Sequence, residues 1–151
     1  MSTLSIATSG LSAASLRLNV AASNIANVLT TGPLPAANGS GTSGGGAANG
    51  SSNNSNFPAA YVPLQVNQVD QSNGSTPGGT LATVSTVSPS FVPQFDPSSP
   101  FANQDGLVAA PNVDLTSQFV QLITAKYTFA ANAKVIQAYS DTTKSLLDIT
   151  T

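Results

Sequence analysis

The residues able to do chemistry in this chain are few. The acids are Asp70, Asp96, Asp105, Asp114, Asp141 and Asp148, the bases Arg17, Lys126, Lys134 and Lys144, alongside many serines and threonines. There is no histidine, no cysteine and no glutamate. Imidazole bases, thiol chemistry, disulfides and the usual zinc and iron ligands are therefore excluded together. A carboxylate pair or a Ser-Lys arrangement is what remains, and position favours neither. Asp70, Asp96 and Asp105 lie in turn-rich stretches, where aspartate forms Asx-turns. The tract "GTSGGG" (41–46) lacks the lysine of a phosphate loop and follows no predicted strand. "DQSNGS" (70–75) and "NQDG" (103–106) lack the regular acidic ligands of a calcium loop and read as turns. The expectation is no enzyme, no cofactor and no metal.

Charge is scarce throughout. Only 7% of the 151 residues are charged, against roughly 25% in an ordinary globular domain. A net charge of -2 gives no electrostatic footprint for nucleic acid or an anionic membrane. Solubility as a free monomer rests on Ser, Thr, Asn, Gln and Gly, and so little charge suits a protein packed against others. "MSTLSIATSGLSAASLRLNV" has no basic region followed by a continuous apolar run, so no Sec-type signal peptide is read there. No stretch approaches the 18 or so apolar residues of a membrane span, and no direct membrane insertion is expected.

The elements that position these residues are two helices and a small extended region. Leu4, Ala7, Leu11, Ala14, Leu18, Ala21, Ile25 and Val28 recur in alternating steps of three and four, a heptad stripe with one large row and one small row. A helix is expected from residue 3 to about 29, capped by Ser2 or Thr3 and stopped at Gly32-Pro33. Residues 32–56 read as a Gly/Ser/Asn-rich linker, and from 36 to 56 no large apolar side chain occurs that could offset the entropy of ordering. Residues 57–111 read as a small β-rich middle. Within it "YVPLQV" and "TLATVSTV" alternate with period two around "NGSTPGG", which predicts a hairpin with Pro63 at an edge. "SFVPQFDPSSP" adds an extended piece, and its prolines exclude helix. From 112 to 151 the pattern is helical again, with Asn112 as the expected N-cap and Asp114 in the first turn, where the helix dipole favours it.

One apolar row of this second helix runs Leu115, Phe119, Leu122, Phe129, Ala133, Ile136 and Leu147. Val120, Ile123, Tyr127, Val135, Tyr139 and Leu146 widen it beyond one seam. A single N-terminal helix cannot cover both rows, so another copy or a relative is required. The fold class expected is mainly α with a small β part: terminal heptad helices, 1–31 and 112–151, forming a coiled-coil hairpin, with a β-hairpin and a low-complexity insert between them. Such a chain has little core of its own.

At both ends the residues resemble a known family. "LRLNVAASNIAN" (16–27) followed by "TTG" resembles the N-terminal signature of bacterial flagellar rod and hook proteins, and "DGLVAAPNVDLTSQFVQLITAKYTFAANAKVI" (105–136) resembles their C-terminal signature. With "FDPSSPFANQDGLVAAPNVD" before the last helix, the likeness is greatest to the proximal-rod type of basal-body protein, and it covers 4–31 and 91–150. The resemblance implies a structural subunit whose terminal helices pack with other copies and other rod proteins into a tube around the export channel. It also implies contact with the export apparatus and the basal-body base, passage through the flagellar type III route, and residence in the rod across the periplasm. The residues it marks for assembly are Leu4, Leu11, Leu18, Asn19, Asn24, Ile25, Asn27 and Val28 on the first helix, with Leu115, Phe119, Leu122, Tyr127, Phe129, Ile136 and Leu147 on the second. Asn19, Asn24 and Asn27 fall off the apolar seam, where amides can bond to neighbouring helices without the desolvation cost of a charge. Gln118, Lys126 and Ala130 stand in a helix where the family commonly has Glu and Arg, which leaves apolar and amide contacts to hold the tube. A distal-rod or hook subunit is the alternative, and an unrelated surface fibre or adhesin is a further one.

Overall fold

The computed structural model describes residues 3–35, 57–72 and 78–149. The expected 36–56 tract lies outside the described residues. Helices stand near both ends, α1 (Thr3–Ala26) and α2 (Leu115–Ile149). Between them come β1 (Leu64–Asp70), β2 (Thr80–Thr86), β3 (Phe91–Phe95) and β4 (Leu107–Pro111). The mainly α class with a small antiparallel β part thus stands. Contacts divide the chain into one unit holding α1, β1, β2 and α2, and another formed by residues 27–63 and 87–112.

In the first unit β1 and β2 pair antiparallel from Leu64 opposite Thr86 to Asp70 opposite Thr80. The hairpin was expected to begin at Tyr61. It begins one residue after Pro63, because proline has no N–H to give a ladder. Asp70 closes the near side of the turn by accepting from the N–H and hydroxyl of Ser72. The hairpin lies on α1, and its closest approach is at Gly79, where a Cβ would sit 2.2 Å from the Ser9 hydroxyl. That hydroxyl donates to Ile6 O and accepts the Thr80 N–H, tying β2 to the first turns of α1.

The helices α1 and α2 pack antiparallel. Asn24 bonds to Gln118, and Gly10 lies against Asn132, so residue numbers facing each other sum to about 142. Residues 142–149 of α2 therefore run past the start of α1, and all are exposed. The start of α2 corrects the sequence reading. Asp114, not Asn112, is the N-cap: its carboxylate accepts the Thr116 N–H at 3.0 Å and bonds Ser117. Asn112 instead stays with the extended segment, donating from its backbone to Ser90 O and from its amide to Pro89 O. Along α2, Thr128, Asn132, Thr142 and Thr143 each donate to the carbonyl four residues earlier, as Thr8 does in α1.

In the second unit, α1 has already ended at Ala26 and Asn27–Leu29 form a turn, three residues short of expectation. Gly32 is no simple stop: it pairs with Ala109 in both directions, and a Cβ there would lie 2.3 Å from Ala60 N. The extended piece at 91–95 does not stand alone. It pairs with β4, Phe91 opposite Pro111 and Phe95 opposite Leu107, a strand hidden in the "DGLVAAP" signature. Val108, Ala109 and Ala110 are buried there. Asp96 and Asn103 hold the connection by Asx-type bonds, and Gly106 takes a φ of 74° at its end.

Candidate assembly surface

Burial inside the chain selects the small row of α1, not the large one. Ala7, Ala14 and Ala21 are buried with Ala13 and Val20, while Leu11, Leu18 and Ile25 stay half-buried and Leu4 is exposed. Small side chains and Gly10 bring the helix axes together, which is why the leucine row is left beside the crossing and not within it. On α2 the positions turned toward α1 are Gln118, Leu122, Ala125, Asn132 and Ile136, all less open than their neighbours.

Elsewhere along α2 many large apolar side chains are exposed among its polar residues. Leu115, Phe119, Ile123 and Tyr127 follow one another at intervals of four, a ridge that winds slowly around the helix. Phe119 and Ile123 are each 52% exposed and Tyr127 70%. Val120 flanks the ridge, Phe129 lies between it and the α1-facing row, and Val135, Tyr139, Leu146, Leu147 and Ile149 continue the exposure to the end of the helix. Full burial of such a side chain from water is worth about 1.5–3 kcal/mol, and since most of these are already part covered, roughly half of that remains to be gained.

The asparagines divide. Asn19 is exposed on α1 and Asn27 is half-buried in the turn after it. Val28 is half-buried in the same turn, off the helix. Asn24 is 1% exposed and engaged within its own chain. Its amide oxygen accepts the Leu64 N–H at 3.0 Å, and its nitrogen donates to Leu64 O at 2.8 Å and to Gln118 Oε1 at 3.0 Å. The side chain copies a strand partner for the first residue of β1 and joins α1, the hairpin and α2 at one point. Nothing in the spacing of Asn24, Leu64 and Gln118 announces this clasp.

Electrostatics adds little. The Ser117 hydroxyl, followed by the Thr116 N–H, holds the Asp114 carboxyl below its ordinary range. Among the described residues no group of three acids could hold a metal ion, and no helix is long and apolar enough to cross a membrane. Asp70 and Asp96 do form the expected turn bonds to Ser72 and Ser98, and Asp105 sits in the turn held by Asn103.

Known proteins share both ends and most of the length. Residues 4–33 match the family described as flagella basal body rod protein. Residues 104–149 match the C-terminal family of the flagellar basal body rod FlgEFG proteins. The flagellar basal-body rod protein FlgC of Salmonella typhimurium is 34% identical over 146 residues, covering 94% of this chain and 88% of that protein. FlgC of Yersinia enterocolitica is 34% identical over 143 residues with the same coverage. FlgC of Borreliella burgdorferi is 28% identical over 159 residues, covering 98% of this chain and 95% of its own.

Proposed function

The chain belongs to the flagellar basal-body rod proteins of the FlgC kind, and from that membership we propose that its copies assemble through both terminal helices into a tubular shaft around the export channel. It is a structural subunit of the flagellar basal body, acting with other rod components in motility, and not an enzyme. The uncovered apolar ridge of α2, beside a half-open leucine row on α1, is the observation that supports assembly through these helices. A shaft transmits torque through contacts between subunits. Dry apolar contacts between helices resist shear because every displacement breaks many close contacts at once.

The position proposed is the proximal rod, where the subunit meets the basal-body base and the export apparatus, within the part of the rod that spans the periplasm. Export unfolded through the flagellar type III route goes with this reading, and a small core makes unfolding cheap. The assembly residues proposed are the large ones of the two rows: Leu4, Leu11, Leu18 and Ile25 with Leu115, Phe119, Tyr127, Phe129 and Leu147. Leu122 and Ile136 contribute from the edge of the α1 seam. A second reading, a distal-rod or hook subunit, has one observation in its favour: the C-terminal match is to the family named for FlgE, FlgF and FlgG.

Electron microscopy of basal bodies from cells lacking the gene, with and without a complementing copy, separates the readings. Arrest at the base without a rod, reversed by complementation, is expected. A rod lacking only its hook would move the subunit to the distal parts, and complete flagella would refute both.

A further inference from the structure

A strand at the edge of a sheet carries a row of N–H and C=O groups able to pair with another chain unless something blunts it. Three of the four described strands are blunted. β4 gives its outer edge to Gly32, which bonds Ala109 in both directions. In β3 the even-numbered residues face β4, as the bonds from Asp96 N–H to Gly106 O and from Asn112 N–H to Ser90 O show at its two ends. The backbones of Phe91, Pro93 and Phe95 therefore point outward, and Pro93 in the middle of that edge has no N–H to give. The outer edge of β1 is bonded at Leu64 by Asn24, faces α2 across a groove lined by Val66, Val120 and Thr124, and ends in the charge of Asp70.

β2 is left open. Its odd-numbered residues bond to β1: Val87 N–H meets Pro63 O beyond one end, and Gln71 N–H meets Gly79 O beyond the other. The backbone groups of Thr80, Ala82, Val84 and Thr86 therefore point away from β1. Ser9 takes the Thr80 N–H, while those of Ala82, Val84 and Thr86 have no partner among the described residues. The strand, TLATVST, contains no charge, no proline and no glycine. Val84 is 42% exposed, although Val66 opposite it in the hairpin is half-buried.

We propose that β2 pairs with β2 of a second copy of this chain, antiparallel and centred on Val84. Val84 then faces itself, Ala82 faces Thr86, and the two residues of each pair exchange both backbone bonds. An uncharged antiparallel edge is complementary to itself under a two-fold axis, as a closed contact between identical chains requires. The edges of β1, β3 and β4 fail that match for the reasons above, so a copy of β2 is the strand this chain offers. Pairing turns two hairpins, each at the lower limit of independent stability, into one sheet of four strands, with Val66 and Val84 of both copies in a row on one face. A two-fold contact closes on itself and cannot propagate a shaft, so this association is separate from the one proposed above.

The full-length chain is expected to sediment as a dimer whose share rises with concentration. Val84→Lys and Val84→Asp each set like charges opposite one another across the axis and are expected to halve the mass, while an equimolar mixture of the two restores it. Hydrogen exchange of the parent gives a second reading that needs no variant. The Ala82, Val84 and Thr86 amides are expected to exchange more slowly at dimer concentration than on dilution, while those of Thr83 and Ser85, bonded to β1 in either state, do not change. Phe119→Asp separates this contact from assembly through the helices: a dimer kept in Phe119→Asp and lost in Val84→Lys is expected. A dimer lost in Phe119→Asp, or kept in Val84→Lys, overturns the proposal and leaves the shaft reading standing. A parent that is monomeric at every concentration, a mixture that stays monomeric, or exchange at Ala82, Val84 and Thr86 that ignores dilution would each overturn it as well.

Discussion

Replacing Asn24 is expected to unfasten the first unit. In Asn24→Ala the Leu64 N–H and C=O and the Gln118 amide lose the partner that meets them now. Gln118 is half-buried at the surface of α2 and can turn to water. Leu64 cannot, because its backbone groups face α1. Each buried polar group left without a partner costs about 1–3 kcal/mol, and Leu64 is only half-buried, so the sum comes to about 2–4 kcal/mol. For a chain of this length that corresponds to a fall of about 4–16 °C in melting midpoint.

Asn24→Asp sharpens the test, because it keeps the shape. One oxygen still accepts the Leu64 N–H, while the other now faces Leu64 O where the nitrogen donated. Burial and the facing carbonyl both disfavour the charged form, so the folded pKa rises above the unfolded value of about 3.9. The protonated acid can donate as the amide did. The variant is therefore close to the parent below the unfolded pKa and loses stability as pH rises through the raised folded pKa. Thermal unfolding followed by circular dichroism between acid and neutral pH, with hydrogen exchange of the Leu64 amide, measures both effects. Parent-like midpoints in both variants, with unchanged protection at Leu64, would refute the clasp.

Further outcomes follow from the same geometry. Phe119→Asp or Ile123→Asp changes the stability of the isolated chain by no more than about 0.5 kcal/mol, since both sites are open, yet blocks rod formation, as microscopy of basal bodies would record. Leu122→Asp, beside the α1 seam, lowers chain stability as well, and the contrast separates folding from assembly. Gly10→Ala is near neutral in thermal unfolding. The new Cβ displaces only the Asn132 amide, and the gain in helix propensity of about 1 kcal/mol offsets that loss, whereas Gly10→Leu forces the helices apart and costs about 1–3 kcal/mol. Asp114→Asn removes a carboxyl whose folded pKa is depressed. The parent loses that contribution as pH falls through the lowered value, and the variant's unfolding curve should be flatter there.

The two helices were legible because a repeat of three and four over more than twenty residues has few other meanings. Their partners within the chain were harder to read. Sequence alone ranks Leu4, Leu11 and Leu18 above Ala7, Ala14 and Ala21 as core, because larger side chains bury more surface. Close packing at Gly10 reversed the order. Asn112 and Asp114 are both good caps, and pairing of β4 up to Pro111 with Asn112 bonded to Ser90 decided between them. Strand β4 was missed because Leu107–Pro111 is apolar without alternation and ends in proline, a pattern that periodicity cannot separate from a helix approach. The Asn24 clasp depends on residues 40 and 94 positions away, beyond the reach of local spacing.

The hydroxyl groups that bond backward along α2 have a consequence for how the helix meets its surroundings. Thr128, Thr142 and Thr143 satisfy themselves on their own backbone, so a neighbour laid over them need not offer a matching donor or acceptor. A surface of this kind is undemanding: it adheres through shape and tolerates small rotations of whatever lies against it. For the shaft proposed above, one sequence can then occupy sites whose neighbours differ, at a base on one side and among other subunits on the other.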